Sequence, residues 1–224
     1  MMRMFGAATV GLFAVAIAQA HFPFIVPDAS GTTAKVVFSD DLSPDTKVDI
    51  EKLAGTKLTL RDSGGKDIPL DWKKGDGFYQ VAVPGTGSRV IYGVAEYGVL
   101  QKGDAKPFRL TYFPKAVVGP APTMVAAVGG PLKVEILASE GLGKTRFQVV
   151  HEGKAVPEAE VTILLPGGTK KAVKTDSTGF TPTFDASGRY GVFARVTEPK
   201  GGEHAGKKYD ETRYYATLVV DIGK

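Results

Sequence analysis

Residues 153–195 read GKAVPEAEVTILLPGGTKKAVKTDSTGFTPTFDASGRYGVFAR, and this stretch decides the fold class. Gly153 and Pro157 set a turn ahead of 160–165, a β-branched run of strand length. Pro166, Gly167 and Gly168 close that strand. Asp176 and Gly179 bracket a hairpin tip, where glycine takes a positive φ without steric cost. Within 189–195, Tyr190, Val192 and Ala194 fall on alternate positions, which gives a strand one core-facing side. Strand, turn and strand follow one another with no helical spacing between them.

The same pattern extends outward. Upstream, 34–38, 57–60, 79–83 and 90–94 are short β-branched and aromatic runs, separated by Gly-rich turns at 63–65, 74–77 and 84–87. Beyond them, 132–136, 146–150 and 214–221 add three more. Short strands between Gly, Pro and Asp turns predict an all-β protein built of sandwiches. One short helix is expected at 44–53, from apolar residues at 48, 50 and 53. Trp72, the only tryptophan, is expected as a core or edge aromatic. Residues 115–131, KAVVGPAPTMVAAVGGP, are poor in charge and rich in Gly and Pro, and read as a connection whose Val117, Val118, Val125 and Val128 can pack. The two halves echo each other: Leu58, Gly64, Gly77 and Tyr92 correspond to Val161, Gly167, Gly179 and Tyr190. The echo leaves open a duplication or two unrelated sandwiches.

The N-terminus carries an export signal. Arg3 supplies a positive charge, 5–18 an apolar run, and Ala18-Gln19-Ala20 a small-x-small cleavage site. The expected organisation is a signal peptide at 1–20, a module at 21–118, a connection at 119–131 and a second module at 132–224. No later stretch is long enough to span a membrane, so the mature chain is expected to be periplasmic or secreted with no transmembrane segment. Cysteine is absent, which excludes a lipoprotein anchor and disulfide bracing. Loss of Arg3 from 28 basic side chains leaves 27 against 24 acidic ones, a net +3. These charges are scattered and lack interleaved aromatics, so nucleic acid is not an expected partner.

Cleavage after Ala20 would make His21, one of three histidines, the first residue. Its α-amine and ring Nδ1 would then close a six-membered chelate on one ion. These groups titrate at about 7.7–8.0 and about 6.5, so a metal displaces their protons near neutrality. Two nitrogen donors suit Ni, Co, Cu or Zn better than Ca or Mg. The plain alternative is that His21 is tolerated at the cleavage site and does nothing. A second ligand is sought in His204, in a Gly-flanked and mobile-looking loop with Glu203 and Asp210 nearby. His151, at a strand end entering a turn, is the remaining candidate. With His21 and His204 in different modules, a shared ion would bridge them. No nucleophile elbow, Walker loop or cysteine nucleophile is present, and the chain is read as a non-enzyme.

Two resemblances sharpen this reading. The string G-K-x-V-x-x-A-x-V, T-D-x-x-G and G-R-Y-x-V-x-A within 153–195 resembles the transthyretin-like or carboxypeptidase-regulatory β-sandwich. It implies a transthyretin-like second module, and with the strand pattern of the first half the expected fold is two consecutive Ig-like/transthyretin-like β-sandwich modules after the cleaved signal. The AHF start at 20–22, KPFRLTYFPKA at 106–116 and EHAGKKYDETRYYATL at 203–218 together resemble an exported domain-of-unknown-function family. That family includes periplasmic accessory subunits of nickel/cobalt uptake transporters. The resemblance implies a binding protein for a divalent transition metal ion (Ni, Co or Cu), with His21 as ligand and a membrane metal-uptake transporter as partner. It also implies a histidine where this chain has Tyr214, so His204 becomes the substitute. Two further readings stay open: a structural or interaction module without metal, and a copper histidine-brace oxidase.

Overall fold

The computed structural model describes residues 21–120, 127–141 and 143–223. The leader assigned to 1–20 lies outside them, as does Val125 of the connection. The first half contains β1 (Phe22–Pro27), β2 (Thr33–Ser39), β3 (Lys57–Arg61), β4 (Asp67–Leu70), β5 (Trp72–Lys74), β6 (Phe78–Ala82), β7 (Arg89–Leu100) and β8 (Phe108–Val118). The second contains β9 (Val134–Gly141), β10 (Lys144–His151), β11 (Lys154–Ala155), β12 (Glu160–Leu164), β13 (Lys170–Lys174) and β14 (Gly188–Glu198). It ends with β15 (Gly202–His204), β16 (Lys207–Tyr209) and β17 (Glu211–Ile222). The protein is all-β. Among the described residues the helical content is one 3-10 turn, Ile50–Leu53, and no helix is long and apolar enough to cross a membrane.

The sandwiches share a sheet. Eight strands run in the order β13-β12-β14-β17-β8-β7-β3-β4. All neighbours are antiparallel except β17 and β8, which pair in parallel at the centre, Tyr214 opposite Thr111 and Leu218 opposite Lys115. The order reads alike from both ends. A hairpin (β3-β4 or β12-β13) is followed by an inner strand (β7 or β14) and then by the central one (β8 or β17). The echo seen in the sequence falls on these equivalents, with Leu58 in β3 and Val161 in β12, Tyr92 in β7 and Tyr190 in β14.

A parallel junction between equivalent strands relates the halves by rotation about an axis along the strands, and such a rotation exchanges the faces of the sheet. The smaller sheets accordingly cover opposite faces. β1-β2-β6-β5 packs over one core, which holds Leu110, Tyr112, Ala116 and Val219 from the central pair. β11-β10-β9 packs over the other, which holds Phe113, Val117, Ala216 and Leu218. The central strands are therefore buried on both sides. This explains the near-continuous apolar run in β17, since strict alternation is needed only where one face meets water.

Several expectations are corrected. The segment 44–53 is not an α-helix. Asp45 and Asp49 turn their carboxylates onto the backbone N–H groups of Lys47 and Glu51, at 2.9 and 3.0 Å, and close local turns in place of a continuing helix. Lys115–Val118 ends β8 rather than opening the connection. Pro114 disguises this strand, and its missing N–H falls where Gly93 and Val94 have no partner in β8. The loop carrying His204 is a two-stranded hairpin, β15 with β16, its tip turned by Ala205 and Gly206 at positive φ. Trp72, by contrast, stands as expected on an edge strand, β5, and stacks on Tyr79 at 4.3 Å.

Candidate functional site

His21 immediately precedes β1, and that strand is firmly held. β1 pairs with β2 from Phe22 opposite Ser39 to Pro27 opposite Ala34. Phe22 is buried and stacks on Phe193 of β14, centroids 4.0 Å apart. The buried Thr217 hydroxyl of β17 donates to the Pro23 carbonyl at 2.7 Å. The start of the described chain is thus clamped to strands of the second half. The modules are joined there by packing, with no need of a bridging ion.

Residue 21 stands beside this clamp with its side chain about one-quarter exposed. Its Nε2 lies 3.1 Å from Asp45 Oδ2. A carboxylate only accepts, so Nε2 carries the proton and Nδ1 keeps its lone pair in the neutral ring. Asp45 is itself fixed, its other oxygen accepting from Lys47 N at 2.9 Å. That backbone N–H above all, with His21 beside it, holds Asp45 below the usual carboxylate range. The imidazole sits 6.1 Å from the Phe38 ring.

The other two histidines stand elsewhere. His151 closes β10, its Nε2 3.0 Å from Glu198 Oε1 but out of line for a hydrogen bond. Its ring lies 5.8 Å from that of Tyr214. Tyr214, the position where the family resemblance implies histidine, donates to Glu198 Oε2 at 3.0 Å, and Lys133 Nζ lies 3.4 Å from its hydroxyl. His204 ends β15 on the projecting hairpin, opposite Lys207. Among the described residues no three His, Cys, Asp or Glu side chains are gathered so as to hold a metal ion. The pair His21 and Asp45 is therefore not joined by His204 or His151.

Sequence reasoning did not find Asp45. It is 24 residues from His21, and its one local signal is an Asp at the head of a turn. Sequence reasoning also did not find the cleft beside His21, about 430 Å³ in volume, whose lining includes Tyr97, Tyr112 and Tyr215.

No protein-family model matches this chain, and no curated protein matches it. Among solved structures it aligns with the D0-D1 domain of Intimin at 14% identity, over 90% of this chain and 97% of that one, with a TM-score of 0.19. At that TM-score the likeness carries no argument about fold or function.

Proposed function

We propose that this chain, once cut after Ala20, is an exported binding protein that captures a divalent transition metal ion, nickel or cobalt, for a membrane uptake transporter. The His21 α-amine and Nδ1 are the chelating pair. One observation carries the reading: Asp45 accepts the hydrogen bond from Nε2–H, which keeps the proton on Nε2 and leaves Nδ1 as the free donor. A carboxylate on the far nitrogen is the usual support of a metal-bound imidazole, fixing its tautomer and raising its basicity. The rigid β1 clamp adds preorganisation, because little backbone entropy remains to be lost when the ion binds. The chain's own donors leave coordination positions open, which suits an ion that must later be handed on.

The test is calorimetric titration of exported protein, its N-terminal residue verified as His21, with Ni, Co, Cu and Zn. One equivalent should bind. Affinity should vanish in His21→Ala and in material carrying a methionine ahead of His21, which converts the amine to an amide. Equal affinity in all three proteins would overturn the proposal, and no binding in any of them would overturn it and leave a β-sandwich module without metal.

A further inference from the structure

The cleft beside His21 has an unusual inventory of unused polar groups. Five tyrosines of the described chain are buried: Tyr79, Tyr92, Tyr112, Tyr190 and Tyr214. Four place their hydroxyls on protein acceptors, namely Glu51, Asp67, the Ala186 carbonyl and Glu198. Tyr112 is the exception: it is 6% exposed, lines the cleft and has no protein partner for its hydroxyl among the described residues. Tyr97 and Tyr215 flank it, with ring centroids 5.7 and 5.8 Å away, and their hydroxyls also lack protein partners among the described residues. The Tyr112 ring is buried while its unpartnered hydroxyl opens to the cleft, so it is free to donate to water or to an acceptor bound there. Burial, and then its two tyrosine neighbours, raise the Tyr112 pKa, which keeps this phenol protonated as a donor.

The rim has one predominant charge. Lys47, Lys52 and Lys102 line the cleft, and none forms an ion pair among the described residues. Asp49, the acidic residue of the lining, is occupied in capping the 3-10 turn through Glu51 N. Between rim and phenols the walls are carbon, supplied by Phe38, Val48, Leu100 and Leu110. Donors at the floor, ammonium groups at the mouth and apolar walls between them match an anion with a carbon skeleton, in a cleft of the size that takes small molecules.

We infer that this cleft binds a small organic polycarboxylate, one carboxylate accepting from the tyrosine hydroxyls and another facing the lysines. The inference stands on different side chains from the metal reading and does not depend on it.

The experiment is calorimetry on exported protein freed of metal on a chelating resin, because soluble chelators are themselves polycarboxylates. The probes are tricarballylate, citrate and inorganic phosphate. Tricarballylate and citrate should each bind one equivalent, and phosphate about tenfold more weakly or not at all. Tyr112→Phe, which keeps the ring, and the surface double variant Lys52→Ala/Lys102→Ala should each weaken tricarballylate by about tenfold. The Lys52→Ala/Lys102→Ala variant should keep its nickel affinity while losing tricarballylate affinity, which separates this proposal from the metal one. No binding of either carboxylate at millimolar concentration would overturn the inference. Equal binding of phosphate, or unchanged affinity in both cleft variants, would overturn it too.

Discussion

Replacing Lys115 by methionine tests the junction of the two halves. Lys115 lies on β8 and Glu135 on β9, and their side chains are 1% and 3% exposed. Lys115 Nζ donates to Glu135 Oε2 at 2.9 Å, and Glu135 also accepts from the backbone N–H groups of Val128 and Gly129, at 2.8 and 2.7 Å. Burial presses the lysine pKa down, against the carboxylate that holds it charged. Removing one member of such a pair costs about 3–5 kcal/mol, because the other charge stays buried alone.

The two removals are not equal. Lys115→Met leaves a carboxylate with two donors, so its cost belongs near the lower bound, about 3 kcal/mol. Glu135→Ala strands an ammonium and two N–H groups together, so its cost belongs at about 5 kcal/mol. At about 2–4 °C per kcal/mol for a chain of this size, the midpoints should fall by about 6–12 °C and about 10–20 °C. Urea unfolding followed by circular dichroism gives both costs, with unchanged slopes as the check that stability alone has moved. The double variant should lose less than the sum of the singles. A Lys115→Met protein as stable as the parent, or a Glu135→Ala protein more stable than Lys115→Met, would refute the reasoning.

Asp45→Asn should reduce nickel affinity by about 10–100-fold without abolishing it, since it supports the ligand rather than serving as one; calorimetry beside His21→Ala separates the two roles. Gly179 has φ +76°, and an added Cβ would meet the Val149 carbonyl oxygen at 3.0 Å, whereas Gly153 has φ +77° with open space around it. Gly153→Ala should therefore cost about 1 kcal/mol and Gly179→Ala at least about 2 kcal/mol, measured by urea unfolding. Arg61 foremost holds Asp67 below its ordinary 3.8, and the Thr178 hydroxyl foremost does the same for Asp176. Both shifts are downward, so the stability they contribute is present above the unfolded value and lost as pH falls through the folded one. Urea midpoints should drop below about pH 4, and the double variant Asp67→Asn/Asp176→Asn should flatten that drop. An unchanged acid slope in that variant would contradict it.

Much of the fold was legible because local chemistry dictates it. Asp176 captures the N–H groups of Thr178 and Phe180 and the Thr178 hydroxyl within five residues, so the hairpin tip is readable wherever it occurs. The strands at 57–60, 146–150 and 160–165 alternate or branch as one-sided strands do, and they appear as expected. β8 was obscured because two-sided burial removes the alternation and Pro114 imitates a breaker. The 44–53 segment was misread because Asp45 and Asp49 compete for backbone donors that a helical pattern assumes are free.

At the candidate site, the sequence by itself supplied the histidine on which the proposal rests. A histidine after a small-x-small triplet has its chelating potential written in two adjacent residues and one bond to be cut. Only the tertiary structure decided what that histidine faces. Asp45 reaches His21 across 24 positions, and Tyr97, Tyr112 and Tyr215 converge from β7, β8 and β17. Tyr97 meets Tyr112 across the antiparallel β7 and β8, and Tyr215 joins them through the parallel pairing of β8 with β17, across about a hundred positions of sequence. Turn chemistry is fixed over a few residues and survives in a linear reading. Strand order is fixed by which apolar faces can be buried together, and that is a property of the whole chain.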